Sequence, residues 1–265
     1  MKLSYIAGAV FAAAALSACS NEKPAEPEQA AAPAATEGEQ KHIRIVTESN
    51  FKPFSYLDVQ GNVVGFEIDL ANALCEEMKA KCDIVSQDWD SLIPSLQANQ
   101  ADAIMAGMSI TPDRLNVVDF SEPYFDNKLV LIGKKGDDIS LDTIAGKTIA
   151  TQQATVSAEY LAKNYPDAIV KTYDKQDNAY LDLTAGRADA MMSDIMPVSD
   201  WLTTEQGQGY EIKGDAIDID DKVGIAVRKG DALKAEFDAA LASLKTNGKY
   251  AEIAAKHLGD TVKVQ

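Results

Sequence analysis

LQANQADAIMAG (residues 96–107) and LTAGRADAMMSD (residues 183–194) are two copies of one motif in this chain. At a constant offset of 87 positions, Asp102 matches Asp189 and Met105 matches Met192. Each copy is typical of a helix end, a short turn and an apolar strand. Because a strand that follows a helix belongs to a parallel crossover unit, the repeat predicts two similar α/β units.

The two copies differ beyond their strands. The first continues as MAGMSITPDR to Arg114, and the second stops at Asp194. Ligands of open α/β sheets bind beyond the carboxyl ends of the strands, so a fixed cation and a fixed anion are expected to face one cleft and to hold a zwitterion. Spacing alone leaves an alternative, in which Arg114 pairs with Asp113 or Asp119 and Asp194 caps the next helix.

Hydrophobic periodicity predicts the other elements. Strands are expected at 43–47, 63–66, 83–86, 103–106, 129–132, 148–151, 169–172, 190–193 and 222–228. Helices are expected at 66–79, 90–98, 156–163, 176–185, 231–245 and 250–258. This order predicts an α/β protein of two lobes with parallel or mixed sheets flanked by helices, lobe 1 being 41–131 plus 227–265 and lobe 2 being 132–226. The two chain crossings predict a hinge.

The amino-terminal segment is predicted to be a targeting signal. Residues 1–18 read as a signal peptide, because the apolar run 6–16 is too short to span a bilayer. LSAC, ending at Cys19, resembles a lipobox, which predicts lipid on Cys19; an ordinary signal peptide is the alternative. The Ala/Pro/Glu-rich residues 19–40 are expected to be a disordered tether. The protein is therefore expected in the periplasm, lipid-anchored to a membrane.

Composition restricts the chemistry. The net charge of −16 disfavours a nucleic-acid partner. Cys75 and Cys82 are an even pair in an exported chain, which predicts a disulfide, with two buried free thiols as the alternative. The two histidines, His42 and His257, lie away from the expected cleft. With no nucleophile–base pair or metal cluster in the pattern, we expect no enzyme activity, no cofactor and no metal.

An aromatic pair with a carboxylate marks one end of the expected cleft. Phe51 and Glu48 follow the first strand, and Trp89 lies in a turn between two aspartates. Two aromatic faces and one carboxylate suit a guanidinium or ammonium group. Packing at the lobe edge is the alternative.

Five runs resemble one known family. They are KPFSYLDVQGNVVGFEIDLANALCEEM (52–78), DWDSLIPSLQANQADAIMAGMSITPDR (88–114), DFSEPYFDN (119–127), DLTAGRADAMMSD (182–194) and VGIAVRKGD (223–231). Together they resemble the periplasmic solute-binding proteins of amino-acid ABC transporters (family 3), in the arginine, lysine/arginine/ornithine and histidine branch. The resemblance covers about 43–258. It implies a type II two-lobed fold that closes on its ligand, a disulfide between Cys75 and Cys82 and a permease partner. No feature of the sequence marks an oligomer, and we expect a monomer.

The resemblance also implies roles for individual residues. Arg114 would bind the ligand α-carboxylate, helped by Ser109 and Thr155. Asp194 and the backbone carbonyl of Gly107 would bind the α-ammonium. Glu48, Phe51 and Trp89 would line the pocket for the side chain. The full set of expected ligand contacts is Glu48, Phe51, Trp89, Ala106, Gly107, Ser109, Arg114, Gln152, Thr155 and Asp194. The family usually has a glycine beside the threonine, where this chain has Ala154.

These expectations define the predicted function: capture of a basic L-amino acid, arginine before lysine, ornithine or histidine, for an ABC permease. The alternatives are a periplasmic dehydratase-like enzyme on the same fold and a sensor or surface lipoprotein without a transport role.

Overall fold

The computed structural model describes residues 40–259, which lie in one compact unit. The predicted signal peptide (1–18), Cys19 and the tether up to residue 39 lie outside the described residues. Within 40–259, no helix combines the length and the apolar character that crossing a membrane requires.

The chain alternates strands and helices. The strands are β1 (His42–Thr47), β2 (Asn50–Phe51), β3 (Ser55–Leu57), β4 (Val63–Val64), β5 (Lys81–Ser86), β6 (Ala103–Ile104), β7 (Val118–Phe120), β8 (Phe125–Lys134), β9 (Thr148–Gln152), β10 (Ile169–Tyr173), β11 (Ala190–Asp194), β12 (Tyr210–Ile212), β13 (Ile217–Val223) and β14 (Ala226–Arg228). The helices are α1 (Phe66–Glu77), α2 (Leu92–Gln97), α3 (Pro112–Leu115), α4 (Val156–Asn164), α5 (Gln176–Thr184), α6 (Ile195–Trp201), α7 (Leu233–Thr246) and α8 (Lys249–Leu258).

Two sheets organise the molecule. The first has the strand order β5-β1-β6-β14-β7, and the second has the order β10-β9-β11-β8-β12 with β13 also paired to β8. We call the first sheet with β2–β4, α1–α3, α7 and α8 body 1, and the second sheet with α4–α6 body 2. Each body has its own buried clusters, around Leu70 and Phe237 in body 1 and around Leu161 and Met191 in body 2. Separate cores allow two bodies to move as units.

The sequence repeat is also a structural repeat. The N–H of Asp102 donates to the carbonyl of Arg44 and the N–H of Asp189 donates to the carbonyl of Thr148, each at 2.8 Å. The carboxylate of Asp102 also accepts the N–H of Arg44 at 3.0 Å, and the carboxylate of Asp189 accepts the N–H of Thr148 at 2.8 Å. The preceding turns contain left-handed residues, Asn99 (φ 57°) and Gly186 (φ 68°). Each aspartate therefore holds the start of one parallel strand against its neighbour.

One predicted strand was wrong. The expected strand 222–228 is two strands in different sheets, because β13 pairs with β8 and β14 pairs with β6 and β7. Gly224 lies between them, where an added Cβ would come within 2.9 Å of Ile110 Cδ1. Both sheets are mixed, since β14 runs antiparallel to β6 and β8 runs antiparallel to β11.

Two other boundaries shift near the cleft. The predicted strand 103–106 pairs only at Ala103–Ile104, because the chain turns away through Gly107, whose φ is 60°. The predicted helix 90–98 begins as a 3-10 turn, Trp89–Ser91, before α2.

The strand β8 carries the chain from one body to the other. Phe125 packs in the core of body 1, whereas Leu129 and Leu131 pack in body 2 and pair with β11. The lobe division at 131/132 stays a prediction. Strand pairing favours 125–127 as the place where the chain crosses between the bodies, because the pairing of β8 with β13 begins there.

Cys75 near the end of α1 and Cys82 in β5 are joined by a disulfide, with their Cα atoms 6.2 Å apart. The bond ties the helix to the edge strand of the first sheet.

Candidate functional site

The strand ends of both sheets meet at one cleft between the bodies. Glu48 directly follows β1, residues 106–109 lie just after β6, and β9 and β11 end at Gln152 and Asp194. The cleft contains about 390 Å³ of space free of atoms, part of it open to solvent. The structure brings every expected ligand-contact residue into its lining: Glu48, Phe51, Trp89, Ala106, Gly107, Ser109, Arg114, Gln152, Thr155 and Asp194.

Arg114 is the cation of the cleft. Thr111 caps α3, and Pro112 occupies its first turn, so the short helix turns Arg114 inward. Nη1 donates to the carbonyl of Ser109 and Nη2 to the carbonyl of Ala154, each at 2.9 Å. A guanidinium has five N–H donors, so these two contacts orient the fork and leave other donors for an anion.

Arg114 forms no ion pair with either of its alternative partners, Asp113 and Asp119, because its guanidinium is directed at the carbonyls of Ser109 and Ala154. Asp119 accepts from Lys229 at 2.7 Å, at the edge of body 1. Burial lowers the pKa of Arg114, while the charges of Glu159, Asp221 and Asp194 raise it. An arginine guanidinium keeps its charge even when it is buried, so Arg114 presents a cation in a site that water hardly reaches.

Asp194 is the anion at the tip of the second copy. It occupies the N-cap position of α6, but its side chain makes no capping hydrogen bond, contrary to the capping alternative. Burial and, to a smaller extent, the charge of Asp221 raise the pKa of Asp194 to about 7, against the opposing effects of Asn127 and Arg114. Because this pKa lies near neutral pH, a cation bound beside Asp194 would shift the carboxyl to its charged form.

The amino terminus of α4 faces the cleft, a position that was not predicted from the sequence. Thr155 caps this helix: its hydroxyl donates to the carbonyl of Gln152 at 2.8 Å and accepts from the N–H of Ala158 at 3.3 Å. Val156 and Ser157, the first helical residues, line the cleft. N–H groups of a helix start favour an anion, so this end complements Arg114. The TVSAE pattern after β9 carried the signal of a helix start.

Ala154 joins the two bodies through its carbonyl, which accepts from Arg114 and from Trp89 Nε1 at 3.3 Å. Its φ of 54° is left-handed, where glycine is favoured. The departure from the family pattern therefore falls on a strained residue of the cleft wall.

Glu48 lies at the opposite end and is 4% exposed. Gln152 Nε2 donates to Glu48 Oε1 at 2.9 Å, across the two bodies. Burial raises the pKa of Glu48 to about 7; the hydrogen bond from Gln152 opposes the rise, and the charge of Asp177 adds to it. Glu48 is thus a second carboxyl whose charged form a bound cation would stabilise.

Phe51 and Trp89 have both packing and cleft roles. The Phe51 ring stacks on Phe54 and lies so close to Gly107 that a Cβ there would be 2.6 Å from Phe51 Cε1. Trp89 packs in the body 1 core, and Arg114 lies over its ring at 5.3 Å. The observed cation–π partner of Trp89 is therefore Arg114, within the chain.

Beyond Glu48 the cleft opens into a second cavity of about 1180 Å³, partly open to solvent. Asp177 lies in its wall, and burial raises the pKa of this carboxyl. Asp177 was not predicted from the sequence, because this wall is assembled from α5, α6, β3 and the loops after β1 and β5, which only the fold brings together.

Contacts across the cleft show that the bodies are closed on each other. They are Glu48–Gln152, Trp89–Ala154, Arg114–Ala154, Asp90–Gln153, Asp88–Lys175 and Lys52–Asp200. The outer three are exposed polar pairs, which contribute little each and separate easily.

The histidines lie outside the cleft. His42 contacts Asp83 at 2.8 Å, and His257 contacts Asp69 at 2.6 Å. Among residues 40–259, no group of three His, Cys, Asp or Glu side chains is arranged to hold a metal ion.

Two α/β bodies closed over a cleft with fixed charges of both signs define the class of two-lobed ligand-binding proteins. Comparison with known families gives the specific group. Residues 43–260 match the model of the bacterial extracellular solute-binding proteins, family 3, and the chain belongs to that family.

Its relatives include proteins named for arginine. The chain is 38% identical over 216 residues to the putative ABC transporter arginine-binding protein 2 of Escherichia coli strain K12, which covers 80% of this chain and 88% of that protein. It is 38% identical over 228 residues to the L-arginine-binding protein of Pseudomonas aeruginosa, covering 82% and 88%. A solved structure of an ancestral arginine-binding protein bound to arginine superposes with a TM-score of 0.79 at 35% identity, covering 83% of this chain and 99% of that one.

Proposed function

We propose that this protein captures a basic L-amino acid, arginine first, between its two bodies and delivers it to an ABC permease. One observation carries the proposal: the closed cleft places a buried guanidinium, Arg114, a half-buried carboxyl, Asp194, and a buried carboxyl, Glu48, around one space. A basic amino acid has the complementary charges, one carboxylate and two cations.

The ligand backbone is assigned to the Arg114 and Asp194 end. The α-carboxylate would accept from Arg114 and from the first N–H groups of α4, and the α-ammonium would donate to Asp194 and to the carbonyl of Gly107. Both Arg114 and Asp194 are held by rigid elements, α3 and the end of β11, so little ordering is needed on binding.

The side chain is assigned to the Glu48 end. Glu48 faces Gln152, and Asp177 lies close enough to raise the pKa of Glu48. A guanidinium or ammonium there would relieve the burial penalty of these carboxyls, whereas an acidic side chain would add to it. The second cavity beyond Glu48 provides room for long side chains.

Delivery and anchoring complete the proposal. The relatives from Escherichia coli and Pseudomonas aeruginosa carry arginine-binding names, one of them an ABC transporter component, which supports an arginine ligand and a permease partner. Ligand binding would favour the closed arrangement, which the permease would recognise. A lipid on Cys19 and the segment 19–40 would keep the protein as a tethered monomer in the periplasm.

Calorimetric titration tests the function. The full-length protein, purified in mild detergent and stripped of ligand by unfolding and refolding, is titrated with the proteinogenic amino acids, ornithine and citrulline. Binding at about micromolar affinity or tighter, confined to arginine, lysine, ornithine or histidine, is expected. Tight binding only to neutral or acidic amino acids would overturn the Glu48 assignment, and no binding, or turnover of the ligand, would overturn the proposed function.

A further inference from the structure

A buried carboxyl lies behind the cleft, in the core of body 1. Glu67 belongs to the first turn of α1 and is 0% exposed. Its own N–H donates to the carbonyl of Phe54 at 2.9 Å, which holds the start of the helix in place. A carboxyl shielded from water is costly unless its oxygens accept hydrogen bonds, so the donors that reach Glu67 indicate what it does.

One oxygen of Glu67 accepts two donors. Oε1 accepts the N–H of Gly107 at 2.6 Å and the hydroxyl of Tyr124. Burial, with the charge of Glu67 adding to it, raises the pKa of Tyr124, so the phenol keeps its hydrogen and is the donor. Oε2 is buried and has no hydrogen-bond partner within residues 40–259. The carboxyl is therefore committed to two donors, and one of them belongs to the wall of the cleft.

The contact with Glu67 fixes the peptide unit between Ala106 and Gly107. This peptide bond is trans, so its N–H and its carbonyl point in opposite directions. Because the N–H points into the core, the carbonyl of Ala106 points away from the core, and both residues line the cleft. No donor from the described part of the chain reaches that carbonyl oxygen. It is therefore an acceptor available to a cationic group of the ligand.

Glycine leaves this peptide unit free to turn, so its orientation depends on the contact in the core. Gly107 has a left-handed φ of 60°, and without a Cβ other conformations stay open to it. The next hydrogen bond along the loop is longer, from the N–H of Gly224 to the carbonyl of Met108 at 3.3 Å. Glu67 thus supplies the short, buried contact that selects one orientation.

We propose that Glu67 is a positioning residue for ligand binding, which holds the Ala106–Gly107 peptide with the carbonyl of Ala106 facing the cleft. Glu67 does not line the cleft, so it acts only through this peptide. Without the carboxyl, the N–H of Gly107 would be left unpaired in the core. Turning it outward would place a donor where a ligand cation binds. The inference rests on the proposed function.

The test is calorimetric titration of the full-length protein with L-arginine. Glu67→Met keeps a side chain of similar length but lacks a strong acceptor. Arginine is expected to bind about ten- to a hundredfold more weakly to this variant. Glu67→Gln keeps an amide oxygen for the N–H of Gly107 and should restore most of the affinity. Tyr124→Phe is the matched control, because it removes the other donor to Oε1 and leaves the Gly107 contact; its arginine affinity should change by less than about threefold.

The amide proton of Gly107 gives a readout that a purely structural role for Glu67 would not move. A short hydrogen bond to a carboxyl shifts an amide proton resonance downfield and slows its exchange with deuterium. In NMR spectra of the ligand-free protein, the Gly107 signal should show both properties in wild type and in Tyr124→Phe, and neither in Glu67→Met. The wild-type spectrum is decisive even if Glu67→Met does not fold, because a fast-exchanging Gly107 signal at an ordinary position would overturn the inference.

Two results of the titrations would also overturn it. One is wild-type affinity in Glu67→Met. The other is equal weakening in Glu67→Met and Tyr124→Phe, which would indicate a general loosening of the core. If the wild-type protein binds no basic amino acid, the proposed function fails; if it binds arginine and the variants give either of these results, only this inference fails.

Discussion

Replacing Arg114 with alanine should remove recognition of the ligand carboxylate. In the closed structure, two of the guanidinium donors bind the carbonyls of Ser109 and Ala154, which fixes the orientation of the remaining donors. The alanine variant leaves the Ala154 carbonyl with its second donor, Trp89 Nε1, so the cleft wall keeps a partner across the bodies.

The magnitude follows from burial. Arg114 is 8% exposed, so a carboxylate bound beside it is shielded from water. Removing one partner of a buried ion pair costs about 3–5 kcal/mol, because the other charge stays buried without compensation. At about 1.4 kcal/mol per tenfold change, L-arginine should bind roughly two to four decades more weakly.

L-Argininamide separates this effect from a general loss of binding, because it keeps both cations and lacks the carboxylate. Calorimetry should show that Arg114→Ala changes the affinity for the amide by less than about threefold, so that the wild-type preference for arginine disappears. Arg187→Ala is the control, since Arg187 pairs with Asp182 on the surface of body 2. If Arg114→Ala keeps wild-type affinity for arginine, or loses both ligands equally, the carboxylate assignment is refuted.

Three further predictions concern pH and strain. The pKa values of Glu48 and Asp194 are raised to about 7, so both carboxyls become protonated and lose their charge as the pH falls from about 8 to about 5.5. Arginine affinity should fall over the same range. Binding near neutral pH should release protons, which calorimetry in buffers of different ionisation enthalpy would detect. Burial raises the pKa of Glu67 to about 7, so its stabilising contribution is complete below the unfolded pKa and is lost as pH rises through 7. Glu67→Gln should therefore gain stability relative to wild type at about pH 8, by up to about 3 kcal/mol, and little at about pH 5, as measured by chemical unfolding. Ala154→Gly should stabilise the protein by about 1 kcal/mol, because glycine adopts a φ of 54° without strain.

Each of these has a contrary outcome. Affinity that does not vary with pH would contradict the raised pKa values of Glu48 and Asp194. A Glu67→Gln variant with the same stability difference from wild type at both pH values would mean that Glu67 does not titrate between them. For Ala154→Gly, the control is Ala162→Gly in the exposed part of α4, which should destabilise by about 1 kcal/mol; the same sign in both variants would argue against strain at Ala154.

The sequence alone determined the α/β architecture and the location of the cleft. The repeated motif around Asp102 and Asp189 is a local pattern, and each copy builds the same strand start in its own sheet. Strand ends follow from where apolar runs stop, so residues beside them, such as Glu48 and Asp194, could be placed at one edge. The site residues could be listed because most lie within a few positions of those ends, and the others, such as Arg114, lie in motifs that resemble the family.

Only the tertiary structure decided how those residues are used. Two examples are the hydrogen bond from Arg114 to the carbonyl of Ala154 and the hydrogen bond from Ser109 to Asp221, because each joins segments far apart in the chain. The split of 222–228 between two sheets is of the same kind, because nothing in an apolar run states which neighbour it will pair with. Hydrogen-bond partners and pKa values are set by burial and by charges brought together on folding, and neither is a property of a local stretch of sequence.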